Sequence, residues 1–170
     1  MIIPHAIEPY YHENPWSDVL RNKKVLIIHP FVETIREQYK KRSQLFRNEK
    51  ILPHFELLTL KAVNSICGTK TGFGTRFEAL DYMCGEIRKI DFDIAIIGAG
   101  AYGPALAVFV KQIGKKAIHM GGATQILFGI KGARWDQMEI ISKLYNEQWV
   151  RPSDKERPEG FNKVEEGCYW

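Results

Sequence analysis

Cysteine is scarce in this sequence: Cys67, Cys84 and Cys168 make an odd number, with no Cys-x-x-Cys pair. That spacing supports neither a disulfide framework nor a zinc site. The first sixteen residues carry Glu8, Glu13 and prolines rather than a charged start leading into an apolar stretch, which excludes a signal peptide. Long apolar runs are also missing. Residues 94–110 lack charge, but they fall short of the roughly 20 residues a membrane span needs and are broken by Gly98, Gly100, Gly103 and Pro104. The expectation is a reduced, cytoplasmic protein.

What is present is ordinary globular material. The 170 residues are 45% hydrophobic and 26% charged, enough to build one core without staples. The net charge of +4 does not imply nucleic acid. Its distribution is uneven: residues 34–50 hold six bases (Arg36, Lys40, Lys41, Arg42, Arg47, Lys50) against Glu37 and Glu49, so this stretch alone carries the net charge. Such a stretch reads as a solvated helix face. The sharper reading is a docking face for anionic lipid or an acidic partner, peripheral to the inner face of the membrane.

The apolar pattern alternates in type. Residues 25–29 (VLIIH) form a continuous apolar run of the kind seen in a doubly buried strand. A helical pattern follows over 32–46, with Val32, Ile35, Tyr39 and Phe46 on one face. Residues 55–61 read as a second strand and 64–74 as a glycine-containing loop. Thr75 and Glu78 have capping-box spacing. Behind them Phe77, Leu80, Cys84 and Ile87 fall on one helical stripe, making Cys84 a core residue. Residues 93–98 read as a third strand, 103–114 as a deeply packed helix, 116–120 as a fourth strand and 123–130 as a short helix. Asp136 with Glu139 repeats the capping spacing before a last helix. Strand–helix alternation with apolar strands implies a Rossmann-like α/β fold: an open parallel sheet of about four strands, helices on both faces, spanning residues 1–150. Residues 151–170 read as an extended polar tail, with an apolar end (Gly167-Cys168-Tyr169-Trp170) that tucks back onto the domain or onto a second subunit in a homo-oligomer.

Ligands of open parallel sheets sit beyond the C-terminal strand ends. Those ends are His29-Pro30, Lys61, the Gly98–Gly103 turn and His119–Gly122, two of them histidines and two glycine-rich. Gly98, Gly100 and Gly103 match G-x-G-x-x-G after a strand and before a helix, a setting in which backbone and helix N-terminus meet a phosphate. No Asp or Glu occurs in residues 94–135, so the acid a dinucleotide fingerprint needs is missing and NAD is disfavoured. A purely structural glycine turn stays open beside phosphate contact. His29 and His119 are each read either as pocket residues or as satisfied packing histidines. Neither has the neighbours of a metal set. Asp91-Phe92-Asp93 has a D-x-D form but precedes its strand, at the wrong edge. Asp154-Lys155-Glu156 reads as a solvated charge run. Lys131, Arg134, Trp135, Trp149 and Arg151 either grip a sugar phosphate or lock the C-terminal part onto the sheet.

Residues 93–104 (DIAIIGAGAYGP), 114–122 (GKKAIHMGG), 128–135 (FGIKGARW), 146–152 (NEQWVRP) and 167–170 (GCYW) resemble a bacterial family that is itself similar to the C-terminal half of GT-D-type glycosyltransferases, found with surface polysaccharide genes. The resemblance covers most of residues 24–170, and HMGGATQ (119–125) is its most specific block. It implies a nucleotide-sugar-binding domain for surface polysaccharide synthesis. Gly98, Gly100 and Gly103 would then admit the diphosphate, and His29, Tyr102, His119, Gly121, Gly122, Gln125 and Arg134 would line the pocket. In GT-D enzymes a metal-binding Asp-x-Glu lies in an upstream half without a counterpart in these residues. The implied ligand is thus a nucleotide sugar, or another phosphate-bearing small molecule, with a divalent metal held elsewhere. The domain would be completed by an upstream or partner segment, or would act as a non-catalytic nucleotide-binding or assembly module.

Overall fold

The structure, a computed structural model, describes residues 7–65, 69–163 and 165–170; Cys67 lies outside them. Four strands, β1 (Lys24–His29), β2 (Glu56–Lys61), β3 (Ile94–Ile97) and β4 (Lys116–His119), form one parallel sheet in the order β2-β1-β3-β4. The registers set His29 beside Lys61, Ile28 beside Ile97 and Ile97 beside His119, so the strands end nearly level. β1 and β3 are central and buried on both faces, as their unbroken apolar runs require. β2 and β4 are edges, and their charged ends remain exposed.

Side chains alternate across the sheet. Val25, Ile27 and Ile96 enter a core on one face, with Ile35 and Tyr39 of α1 (Val32–Lys40), Leu45 of α2 (Arg42–Leu45), Ile126 and Leu127 of α5 (Ala123–Leu127), and Trp135 of α6 (Ala133–Asp136). Leu26, Ile28, Ala95 and Ile97 enter a second core, with Met83 and Ile87 of α3 (Arg76–Arg88) and Leu106 and Val110 of α4 (Gly103–Gln112). A short last helix, α7 (Glu139–Ser142), packs on the first side through Ile141.

Several expectations need correction. The helix over 32–46 breaks at Lys41, which lets Leu45 and Phe46 turn inward, Phe46 meeting Trp149 at 5.5 Å between ring centres. In α3 the buried stripe excludes Phe77: it runs through Ala79, Met83 and Ile87, while Phe77 is exposed and Cys84 half-buried at the margin. The Thr75 cap itself forms, with Glu78 N–H donating to Thr75 Oγ1 at 3.2 Å. The helix over 103–114 is not deeply packed all round, since Val108 faces solvent on a chain segment that covers only one side of the sheet. Asp136 does not cap α7: it lies inside α6 and pairs with Arg151, and the N-cap position of α7 is Met138, which makes no side-chain cap.

Residues 151–170 are not an extended tail. They fold back through short 3-10 turns at Asp154–Glu156, Phe161–Lys163 and Glu165–Gly167. Glu156, in the segment read as a solvated charge run, is buried and serves as the cap that α1 lacks locally. Its carboxylate accepts the N–H of Glu33 at 2.8 Å and of Thr34 at 3.2 Å, and also the Thr34 hydroxyl. A carboxylate suits that position because the first helical N–H groups have no partner within the helix.

Candidate functional site

β1 leads out to β2, and the chain then crosses back over β1 to reach β3. The direction of winding therefore reverses between β1 and β3, and a crevice opens beyond their C-terminal ends. A cavity of about 220 Å³ lies there. The end of β1 supplies His29, Pro30 and Phe31, the end of β2 supplies Asn64, and the β3 turn supplies Gly98 and Gly100. Gly121, Gly122 and Gln125 come from the β4 side, and Tyr169 and Trp170 close the wall.

His29 is fixed by its own loop. Its Nδ1 accepts the N–H of Phe31 at 3.0 Å, which leaves the ring proton on Nε2. Burial pushes its pKa down to about 3, so the ring is neutral. Gly98 is required by contact: a Cβ there would lie 2.6 Å from His29 Cδ2, 2.8 Å from the Gly121 carbonyl oxygen and 2.8 Å from Thr124 Oγ1. Gly100 (φ +51°) and Gly121 (φ +57°) have left-handed backbone with open space where a Cβ would stand. Gln125 is buried, and its Nε2 donates to the Lys131 carbonyl at 2.9 Å and the Tyr169 carbonyl at 2.8 Å. Trp170 packs edge-on against Phe31 at 5.7 Å and Tyr169 at 6.1 Å between ring centres.

Three buried polar atoms here have no hydrogen-bond partner: Thr124 Oγ1, Gln125 Oε1 and Trp170 Nε1. Gln125 and Trp170 line the cavity, and Thr124 stands behind Gly98. Each such orphan costs about 1–3 kcal/mol unless something fills its valence. Among the described residues the lining contains aromatic rings, glycine backbone and neutral polar groups, and no Lys, Arg, Asp or Glu side chain.

Six of the residues singled out from sequence meet at this cavity: His29, Gly98, Gly100, Gly121, Gly122 and Gln125. Four do not. His119 pairs with Ile97, which faces the α3/α4 core, so its side chain emerges on the opposite face from that of His29. There it is exposed, lies against Gly103 (a Cβ on Gly103 would be 2.2 Å from its Nε2) and borders a separate surface pocket with Ile7 and Trp16. Desolvation lowers its pKa. Gly103 is thereby a packing glycine, and Tyr102 faces Ser65 and Phe77 beyond α4's start. Arg134 is exposed and stacks on the outer side of Tyr169 at 4.9 Å. Sequence reasoning missed Pro30, Phe31, Asn64, Tyr169 and Trp170 as lining residues. Pro30 and Phe31 directly follow a strand-terminal histidine, but nothing local places Tyr169 and Trp170 at a turn 70 residues earlier.

The remaining candidates have structural partners. Lys24 Nζ meets Asp91 at 2.7 Å and Lys24 N–H donates to Asp93 at 2.8 Å, so the D-x-D element ties the starts of β1 and β3 together. Arg151 pairs with Asp136, and Trp149 Nε1 donates to the Leu45 carbonyl at 3.0 Å, which locks this region onto the sheet. In the basic segment Arg36 bonds Thr59 and Glu33, and Lys40 bonds Glu37. Among the described residues no group of three or more His, Cys, Asp or Glu side chains is placed to hold a metal. Among the described residues no helix is long and apolar enough to cross a membrane. Comparison with known proteins returned no matching family, no matching curated protein and no matching solved structure.

Proposed function

We propose that this α/β domain binds a nucleotide-type ligand in the crevice between β1 and β3, with the nucleoside end in the cavity. The observation that carries this is an aromatic cavity with buried polar atoms of Gln125 and Trp170, two of its lining residues, left without partners just behind its surface. A nucleobase has apolar faces and an edge that both donates and accepts. Phe31 and Trp170 match the faces; Gln125 Oε1 and Trp170 Nε1, unpartnered behind the cavity surface, supply an acceptor and a donor for the edge once these side chains shift to meet it. Pockets that enclose a whole drug-sized ligand run to about 300–1,000 Å³. The 220 Å³ here suits one moiety, with the rest of the ligand outside. The resemblance to the nucleotide-sugar half of GT-D-type glycosyltransferases supports the same class of ligand and a place in surface polysaccharide synthesis.

A non-catalytic binding or assembly role is favoured by one further observation. Among the described residues no carboxylate lines the cavity, and the one histidine there is held neutral with its Nδ1 already engaged. General acid–base chemistry would need groups from a partner segment.

Calorimetry with the four common nucleosides and their diphosphates tests the reading, with NAD for comparison. At least one nucleoside series should bind, and Trp170→Phe, which deletes the indole donor and keeps a ring, should weaken it about tenfold for one lost hydrogen bond. At 100 times its dissociation constant the ligand should add roughly 2.7 kcal/mol of stability. Absence of binding by every nucleoside and nucleotide would refute it.

A further inference from the structure

Among the described residues no cationic side chain lines the cavity, yet a nucleotide carries two or more negative charges. A second groove, of about 460 Å³, adjoins it: Pro30 and Asn64 border both. This groove lies beyond the C-terminal end of β2 and is lined by Lys61, Lys70, Lys155 and Arg157, with the hydroxyls of Thr71 and Tyr82 nearby. All four cations are exposed. Among the described residues the only carboxylate lining the groove is that of Glu156, and it is committed to α1. Both its oxygens accept hydrogen bonds from the first turn, where the helix dipole offsets its charge. Arg157 is held in place by Asp154 at 3.0 Å and by stacking on Phe161 at 5.0 Å.

Resting on the ligand class proposed above, we infer that this groove is the anion subsite: it receives the phosphates of a ligand whose base lies in the cavity, the chain of atoms passing Pro30 and Asn64. The glycine turn at residues 98–103 then serves the cavity wall and not the diphosphate. Three lysines, with Arg157 partly offset by Asp154, against one compensated carboxylate among the described lining residues suit a diphosphate, and the hydroxyls suit its oxygens. Salt sensitivity follows, because these cations face solvent.

The test compares the wild-type chain with the triple variant Lys61→Gln, Lys70→Gln, Lys155→Gln. These side chains are exposed, so the fold should survive; circular dichroism and melting check it. The probes are the four nucleosides, their diphosphates and inorganic pyrophosphate, each at low and high salt. Pyrophosphate and a nucleoside diphosphate should bind the wild type in a salt-dependent way, and the variant roughly ten- to hundredfold more weakly. The parent nucleoside should bind both proteins equally. The pyrophosphate arm does not depend on the cavity. If pyrophosphate fails to bind the wild type, or binds the variant equally well, the anion subsite is refuted even when nucleosides bind. If pyrophosphate behaves as expected and no nucleoside or nucleotide binds, the subsite stands as an anion site and the nucleotide reading falls.

Discussion

Lowering the pH from 7 to 5 should destabilise this protein through His29 in particular. In the folded chain its ring is buried against Phe31 and Gly98, and its pKa is pushed down to about 3. In the unfolded chain it titrates near its ordinary value of about 6.5. The unfolded state therefore takes up a proton that the folded state refuses, and stability is lost as pH falls below 6.5, the loss being complete below about 3. With these two values the linkage relation gives a loss of about 2 kcal/mol at pH 5 and about 3.4 kcal/mol at pH 4. The pH 7 to 5 window is the informative one, because most carboxylates stay ionised there. His29→Asn supplies the control: its amide oxygen stands roughly where Nδ1 accepts the Phe31 N–H, and it does not titrate. Urea unfolding of both proteins at pH 7 and pH 5 gives four free energies. The wild type should lose about 2 kcal/mol more than the variant across the window. Equal losses would mean that His29 protonates in the folded state, and the closed, neutral site described here would be wrong.

Two stability predictions concern neighbouring contacts. Gly98→Ala should cost about 3 kcal/mol, the upper end for overpacking, because its Cβ meets the His29 ring, a backbone carbonyl and Thr124 at once, whereas Gly100→Asn should cost under about 1 kcal/mol, since the left-handed backbone tolerates Asn and space is open; similar denaturation midpoints for the two variants would contradict the packing around Gly98. Glu156→Ala should cost roughly 2–3 kcal/mol by orphaning the buried Thr34 donors and the part-buried Glu33 N–H, lowering the melting temperature by about 4–12 °C for a chain of this size; a melting temperature within a degree of wild type would remove Glu156 as the cap of α1.

The local signals in the sequence were those with short-range causes. Unbroken apolar runs at 25–29 and 93–98 marked the two central strands, because a strand buried on both faces has no polar positions to spare. The Thr75 hydroxyl cap and the glycine turn at 98–103 were legible for the same reason: their physics is confined to a few neighbouring residues. His29 and Gln125 could be listed as candidates, but not separated from His119 and Arg134. That separation depends on which face of the sheet each residue occupies, and strand register decides it: Ile97 pairs with His119, so His119 shares the α3/α4 side while His29 faces the other. The wall formed by Tyr169 and Trp170, and the capping of α1 by a carboxylate 122 residues away, belong wholly to the tertiary structure. A buried Glu in a polar stretch looks the same in sequence as a solvated one. Only the return of the chain onto α1 brings it to the N–H groups that make its burial favourable.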